Sequence, residues 1–154
     1  MNKLKPGDKA PYFKGITQDN KEISLDDFKG KKLILYFYPK DNTPGCTAEA
    51  CDLRDNYEMW LSKGYSVVGI SPDSVQSHFK FKEKYSLPFD LISDPEAKIL
   101  KDYEAWGEKS IYGKKYMGVL RKTYVLNESG VIVEIFEKVD TKAHTNQILK
   151  KINE

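Results

Sequence analysis

Six consecutive residues, Leu33 to Tyr38, are aliphatic or aromatic, with lysines before them and Pro39 after them. Such an unbroken apolar run is too short for a helix of usual length and predicts a strand, Lys32 to Tyr38, buried on both faces of a parallel or mixed sheet. It is expected at the sheet's centre. A second run, Tyr65 to Ser71 around Val67-Val68-Gly69-Ile70, predicts another buried strand. Between them Cys46, Ala50, Leu53, Tyr57, Trp60 and Leu61 recur at steps of three and four, the spacing of one helix face, and Gly64 supplies the stop. The strand-helix-strand unit should cross over right-handed.

Shorter patterns extend the plan in both directions. Phe13 to Thr17 and Glu22 to Ser24, separated by Asp19-Asn20-Lys21, predict an N-terminal hairpin, and Ser24 can cap a brief turn ending at Gly30. Pro72-Asp73-Ser74 opens a helix over Val75 to Tyr85, followed by a short strand at Leu91-Ile92 and a further helix from Ser93-Asp94-Pro95, with Leu100, Tyr103 and Ala105 on its apolar side. Trp106 to Gly118, rich in Gly, Lys and Tyr, predicts a loop. Thr123 to Asn127 and Val131 to Glu137 flank Glu128-Ser129-Gly130 as a hairpin, and Ala143 to Ile152 closes the chain as a helix.

Composition narrows the function classes. The 154 residues suit one compact domain spanning 1–154, long enough to bury a core without disulfide or metal staples. Twenty-five basic and twenty-three acidic residues are interspersed and leave a charge of +2, which points to neither nucleic acid nor a membrane surface as a partner. The charged N-terminal stretch Met1 to Phe13 carries Pro6 and Pro11 and has no secretory signal pattern, so a cytoplasmic location is expected. Two cysteines in such a compartment suit a transient disulfide rather than a structural one.

The chemistry concentrates after the first buried strand. In Pro39-Lys40-Asp41-Asn42-Thr43-Pro44-Gly45-Cys46, Thr43 can serve as N-cap and Pro44 as the first helical residue, which puts Cys46 at the third. Free N-H groups and the positive helix end favour a thiolate there and can also hold an anionic or polar oxygen. Arg121, just ahead of the strand at Thr123, could add a fixed charge and a planar donor fork. If the site lies beyond the carboxyl end of the first buried strand, Arg121's strand must run antiparallel to it. The other cysteine, Cys51, follows five residues after Cys46. On a helix that spacing separates the Cα atoms by roughly 8 to 9 Å and about 140°, whereas a disulfide needs less than about 7 Å. A bond between them therefore requires the first turns to unwind. Cys46 belongs to the apolar stripe, while Cys51 shares a more solvated flank with Ala48 and Asp55.

These residues resemble the peroxiredoxin family, and within it the bacterioferritin-comigratory or peroxiredoxin Q branch. The family's Pro-x-x-x-Thr-x-x-Cys motif is matched by Pro39, Thr43 and Cys46, and the branch's resolving cysteine by Cys51. Phe37-Tyr38-Pro39, Glu49, Trp106-Gly107-Glu108-Lys109 and Arg121 ahead of Thr123-Tyr124-Val125-Leu126 add to the match; Asn127 stands where relatives often have Asp. The resemblance implies an α/β, thioredoxin-like fold with a central mixed sheet flanked by helices. It implies reduction of hydrogen peroxide or organic hydroperoxides: Cys46 attacks and becomes a sulfenic acid, Cys51 condenses with it, and a thioredoxin-type donor reduces the disulfide. It further implies that Pro39 shields the thiolate, that Thr43 and Arg121 bind the peroxide oxygens, and that Glu49 orients Arg121. No metal, haem or flavin cofactor is implied. Resolution within one chain needs no second subunit, so a monomer is expected.

Apart from the motif, each residue has a simpler reading. Free cysteines are commonly buried as small apolar residues. Thr43 and Pro44 are a complete helix start, Arg121 a surface charge, and Glu49 a first-turn acid favoured by the helix dipole. His78 and His144 have no Cys or carboxylate partner at ligand spacing, so neither is expected to bind a metal, and His144 is expected to begin the last helix. Tyr36, Phe37, Tyr38 and Trp60 are expected in the core, and Trp106 as a loop anchor. Two other function classes remain open on the residues alone. One is a thiol-disulfide oxidoreductase, which would typically carry a Cys-x-x-Cys absent here; the other is a binding or chaperone-like protein whose cysteines are incidental.

Overall fold

The structure is a computed structural model that describes residues 3–152, so the first two residues of the expected N-terminal segment and the last two of the chain lie outside it. Its frame is a seven-stranded mixed sheet in the order β2-β1-β5-β4-β3-β8-β9. The strands are β1 (Lys14–Thr17), β2 (Glu22–Ser24), β3 (Lys32–Phe37), β4 (Tyr65–Ser71), β5 (Asp90–Ser93), β8 (Lys122–Leu126) and β9 (Ile132–Phe136). The β3-β4-β5 segment is parallel; β8 and β1 join it antiparallel on either side, and the N-terminal hairpin forms one edge. β3 is interior, between β4 and β8, but β4 holds the middle place.

The apolar run of β3 is explained by what covers it. Leu33, Leu35 and Phe37 join a core cluster on one face with Phe13, Ile99, Leu100, Tyr103 and Tyr124. Ile34, Tyr36 and Tyr38 join another on the opposite face with Cys46, Ala50, Leu53, Trp60, Phe81 and Ile148. Successive side chains alternate sides with a period of two, so a strand with helices on both faces must be apolar throughout. The second cluster is built by α1 (Pro44–Asp55), α2 (Tyr57–Ser62), α3 (Val75–Tyr85) and α5 (His144–Ile152), and the first includes α4 (Lys98–Asp102).

Several local expectations are met by particular residues. Ser24 and Asp27 form a capping box on a 3-10 turn at Leu25–Phe28. Ser74 caps α3 by accepting from the Ser77 amide at 3.1 Å, and Gly64 takes φ +87° after α2. His144 begins α5.

Three expectations are corrected. The helix expected from Cys46 to Leu61 is two helices, parted at Asn56, whose backbone (φ −109°, ψ 12°) leaves the helical region while its side-chain Nδ2 donates to the Asp52 carbonyl at 2.8 Å. Leu61 is consequently exposed, although Leu53 and Trp60 stay in one cluster. The helix expected to begin at Ser93-Asp94-Pro95 starts only at Lys98, because the buried Asp94 carboxylate turns inward to accept from the Leu100 amide at 2.8 Å. Trp106 to Gly118 is a hairpin rather than a loop: β6 (Trp106–Ile111) pairs antiparallel with β7 (Lys114–Val119). The two-residue turn Tyr112-Gly113 has φ +51° and +81°, the left-handed pair that closes tight hairpins. Most of its lysines and tyrosines face solvent, so no apolar alternation betrays it, and only its base, Trp106 and Val119, packs on the first core cluster.

Candidate active site

β3 ends at Phe37, and the chain then passes through Pro39 and a short loop into α1. Thr43 is the N-cap residue in extended conformation, with Pro44 at the first helical position, so Cys46 falls on the third, where its backbone amide is one of the helix's orphan donors. The Thr43 side chain does not cap the helix as expected; its hydroxyl donates to the Lys40 carbonyl at 2.8 Å. Pro39 is half-buried beside this loop, and Cys46 is 1% exposed.

β8 runs antiparallel to β3, and Lys122 pairs with Phe37. Arg121, one residue earlier, therefore stands at the carboxyl end of β3, as the topology argument required. From there Nη2 donates to Cys46 Sγ at 3.3 Å, and Nη1 donates to Glu49 Oε1 at 2.7 Å. Cys46 and Glu49 are three residues apart on α1, hence on one helix face, so a single guanidinium reaches both. Burial disfavours the Arg121 charge, but the charges of Glu49 and Cys46 and the hydrogen bonds to both outweigh it and hold the group more firmly protonated. Glu49 has no exposed surface, and burial pushes its carboxyl up to about 7 against the opposing pull of Arg121. Cys51 lies two turns into α1, partly exposed, and both cysteines are free thiols.

Residues without any signal in the linear sequence surround this group. Asp41, in the loop, accepts from Tyr38 Oη at 2.6 Å and from Ser77 Oγ at 2.8 Å, and it lies 2.6 Å from His78 Nδ1. The Asp41 amide donates to Asp73 Oδ2 at 2.8 Å, so the loop is tied to β4 and α3 through a buried polar knot. On the other flank the buried His144 ring meets Thr123 Oγ1 at 2.8 Å and lies 3.6 Å from Glu49 Oε2. Both histidines thus have carboxylate neighbours, contrary to the reading from spacing. Asp41 and His78 are 37 residues apart and Glu49 and His144 are 95 apart, so only folding joins them. Burial of these polar residues is a structural signal; their sequence neighbourhoods carried none.

Residues 6–135 match the AhpC/TSA family. The chain is 41% identical to peroxiredoxin Bcp of Bacillus subtilis, an alignment covering 96% of this chain and 94% of that one. A crystal structure of a Xylella fastidiosa PrxQ mutant superposes with TM-score 0.92 at 29% identity, over 99% of this chain and 98% of that one. A structure of the Xanthomonas campestris bacterioferritin comigratory protein, described in terms of its alkyl peroxide reduction, superposes with TM-score 0.84 at 32% identity, over 90% of this chain and 88% of that one.

Proposed function

The chain belongs to the AhpC/TSA family of peroxiredoxins, in its Bcp or PrxQ branch, and on that premise we propose that it reduces peroxides through Cys46, with Cys51 as the resolving thiol. The observation that carries the reading is the Arg121 guanidinium donating to Cys46 Sγ at the N-terminal turn of α1. A fixed cation and a helix N-terminus both favour the thiolate, the form that attacks.

In the first step the Cys46 sulfur attacks the terminal peroxide oxygen. An S–O bond forms, the O–O bond breaks, and water or an alcohol leaves after taking up a proton. Arg121 faces the charge that develops on the oxygens. The Thr43 hydroxyl has committed its hydrogen to Lys40, so its oxygen is left to accept a hydrogen bond from the peroxide O–H. Pro39 offers no N–H and limits water around the sulfur. Glu49 positions Arg121 through the 2.7 Å contact.

In the second step the Cys51 thiol attacks the Cys46 sulfenic acid, releasing water and forming the disulfide. Both cysteines lie within α1, so its first turns unwind before the sulfurs meet. The resulting exposed disulfide suits a thioredoxin-type donor. Because both thiols belong to one chain, the cycle runs in a monomer formed of one domain, within a reducing compartment such as the cytoplasm. Hydrogen peroxide and organic hydroperoxides are the substrates.

Treatment of the reduced protein and its Cys51→Ser variant with one equivalent of hydrogen peroxide, followed by intact mass and disulfide mapping, tests this. Loss of two hydrogens as a Cys46–Cys51 bond, and gain of one oxygen on Cys46 in the variant, are expected. Survival of both thiols in the folded protein would overturn the proposal.

A further inference from the structure

Behind Arg121 lies a second buried contact that the reaction as described leaves unused. Glu49 offers one carboxylate oxygen to Arg121, and the other, Oε2, is a buried atom with no hydrogen-bond partner among the described residues. A buried carboxylate oxygen without a donor is costly. The polar atom facing it is Nε2 of His144, 3.6 Å away, on a ring that is itself fully buried.

The ring's protonation follows from its neighbours. Gln147 Nε2 donates to the Lys138 carbonyl at 2.6 Å and Gln147 Oε1 accepts from the Asp140 amide at 2.9 Å, which fixes the orientation of that amide. Oε1 also lies 2.9 Å from His144 Nδ1, so Nδ1 carries hydrogen. In the neutral ring Nε2 then has only a lone pair, and 3.6 Å away stands an oxygen that also has only lone pairs to offer. Thr123 Oγ1 suits either state, donating to a neutral Nε2 or accepting from a protonated one.

We propose that Glu49 Oε2 and His144 Nε2 hold one proton between them while Cys46 is a thiolate, and release it when the sulfur is oxidised, so that His144 is a positioning residue of the peroxide reaction. The inference rests on the peroxidase reading above. Its logic is charge balance in a desolvated site. With the thiolate, Arg121 and one shared proton, the buried set is neutral; without that proton it carries an uncompensated negative charge. Once Cys46 is uncharged, Glu49 and Arg121 balance by themselves and the proton is free to leave. The other groups around the pair do not supply the missing positive charge: Asp52 on α1 and Asp140 ahead of α5 are acidic, and Tyr36 on β3 is held neutral by burial. Burial likewise lowers the basicity of His144 and raises that of Glu49, which favours sharing over an ion pair.

Proton stoichiometry tests this directly. Oxidation of a thiolate and a thiol to a disulfide by hydrogen peroxide yields water and hydroxide, and so takes up one proton from solution. In weakly buffered solution the Glu49→Gln variant should take up about one proton per disulfide between pH 6 and 8, while the unmodified protein takes up about none at pH 6, rising toward one at pH 8; His144→Asn, which leaves the proton to the carboxyl alone, should show the same rise at lower pH, and an unmoved rise would remove His144 from the pair. Equal uptake in the unmodified protein and Glu49→Gln, whatever its value, would overturn the shared proton while leaving the peroxidase reading intact. Failure to form any disulfide would instead overturn the peroxidase reading. In that event the infrared carbonyl band of a protonated buried carboxyl decides about the proton: its presence in the reduced protein and loss in Glu49→Gln supports the pair, and its absence rejects it.

Discussion

Arg121 Nη2 lies 3.3 Å from Cys46 Sγ although 75 residues separate them in the chain. The contact exists because β8 runs back along β3 and delivers Arg121 to the end of the sheet where α1 begins. Arg121→Ala should slow sulfenic acid formation by roughly 10² to 10³-fold, the usual cost of removing a preorganised donor from a developing charge. Arg121→Lys should recover only part of this, because an ammonium cannot reach Sγ and Glu49 with two donors in one plane. Single-turnover kinetics with hydrogen peroxide would measure both; an Arg121→Ala protein as fast as the parent would remove Arg121 from the chemistry.

The ring of Tyr36 lies against the backbone of Gly69, its register partner on β4, so closely that a Cβ on residue 69 would stand 2.7 Å from Cζ. Tyr36 also stacks on Tyr38 at 5.3 Å, and Tyr38 holds Asp41 in the loop before α1. Gly69→Ala should therefore cost about 1 to 3 kcal/mol of stability by overpacking. Combining it with Tyr36→Ala should give less than the sum of the two single losses, as expected for residues in contact. Chemical denaturation of the four proteins gives the coupling, and strict additivity would show that the ring and residue 69 do not compete for space.

Where residues contact neighbours in the chain, or meet through a regular period, the sequence disclosed the structure. The alternating burial of Leu33 to Tyr38, the Ser74 cap and the placement of Cys46 at the start of α1 all follow from local pattern. The β6–β7 hairpin did not, because its faces are solvated and its stability comes from ladder hydrogen bonds and a left-handed Tyr112-Gly113 turn rather than from apolar alternation. The break at Asn56 also escaped, since one side-chain amide bonding to the Asp52 carbonyl interrupts the helix without disturbing the apolar spacing. At the site, Cys46 and Arg121 were legible through a motif and a topological argument. His78, Asp41 and His144 were not, because isolated polar residues reveal their partners only when the fold brings distant segments together.

Glu49 gives the folded protein a pH dependence of definite sign. Burial holds its carboxyl at about 7, above its ordinary value of 4.5. Between those values the folded protein keeps a proton that the unfolded chain has released, so this group's contribution makes stability fall as pH rises, and the change is complete once pH passes the folded value. The displacement corresponds to about 3 kcal/mol. His144, made less basic by burial, works in the opposite direction as pH rises through the range where an unfolded histidine loses its charge. Comparing the pH slope with that of Glu49→Gln isolates the carboxyl: the variant should lose less stability between pH 4.5 and 7. Parallel stability curves for the two proteins would mean that Glu49 is ionised throughout.

The knot around Asp41 bears on the step that joins the two sulfurs. Asp41 lies between the end of β3 and the turn of α1 that would unwind in the proposed second step, and it is held by Tyr38, Ser77, His78 and, through its own amide, Asp73. Asp41→Ala leaves the buried Tyr38 and His78 and the half-buried Ser77 without their acceptor, at about 1 to 3 kcal/mol for each buried group left unsatisfied. Asp41→Asn keeps the size and one acceptor oxygen, and so loosens the loop with less loss of stability. A looser anchor lets the first turns of α1 open more often, which should speed the encounter of Cys51 with the Cys46 sulfenic acid. The same loosening disorders Thr43 and Cys46, to which the proposed reaction assigns the peroxide, so the first step should slow. Rapid-mixing kinetics resolve the two phases. Opposite changes in Asp41→Asn would identify the knot as the element that sets the balance between the folded, peroxide-reactive turn and the unwound, disulfide-forming one, whereas unchanged phases would confine Asp41 to holding the fold together.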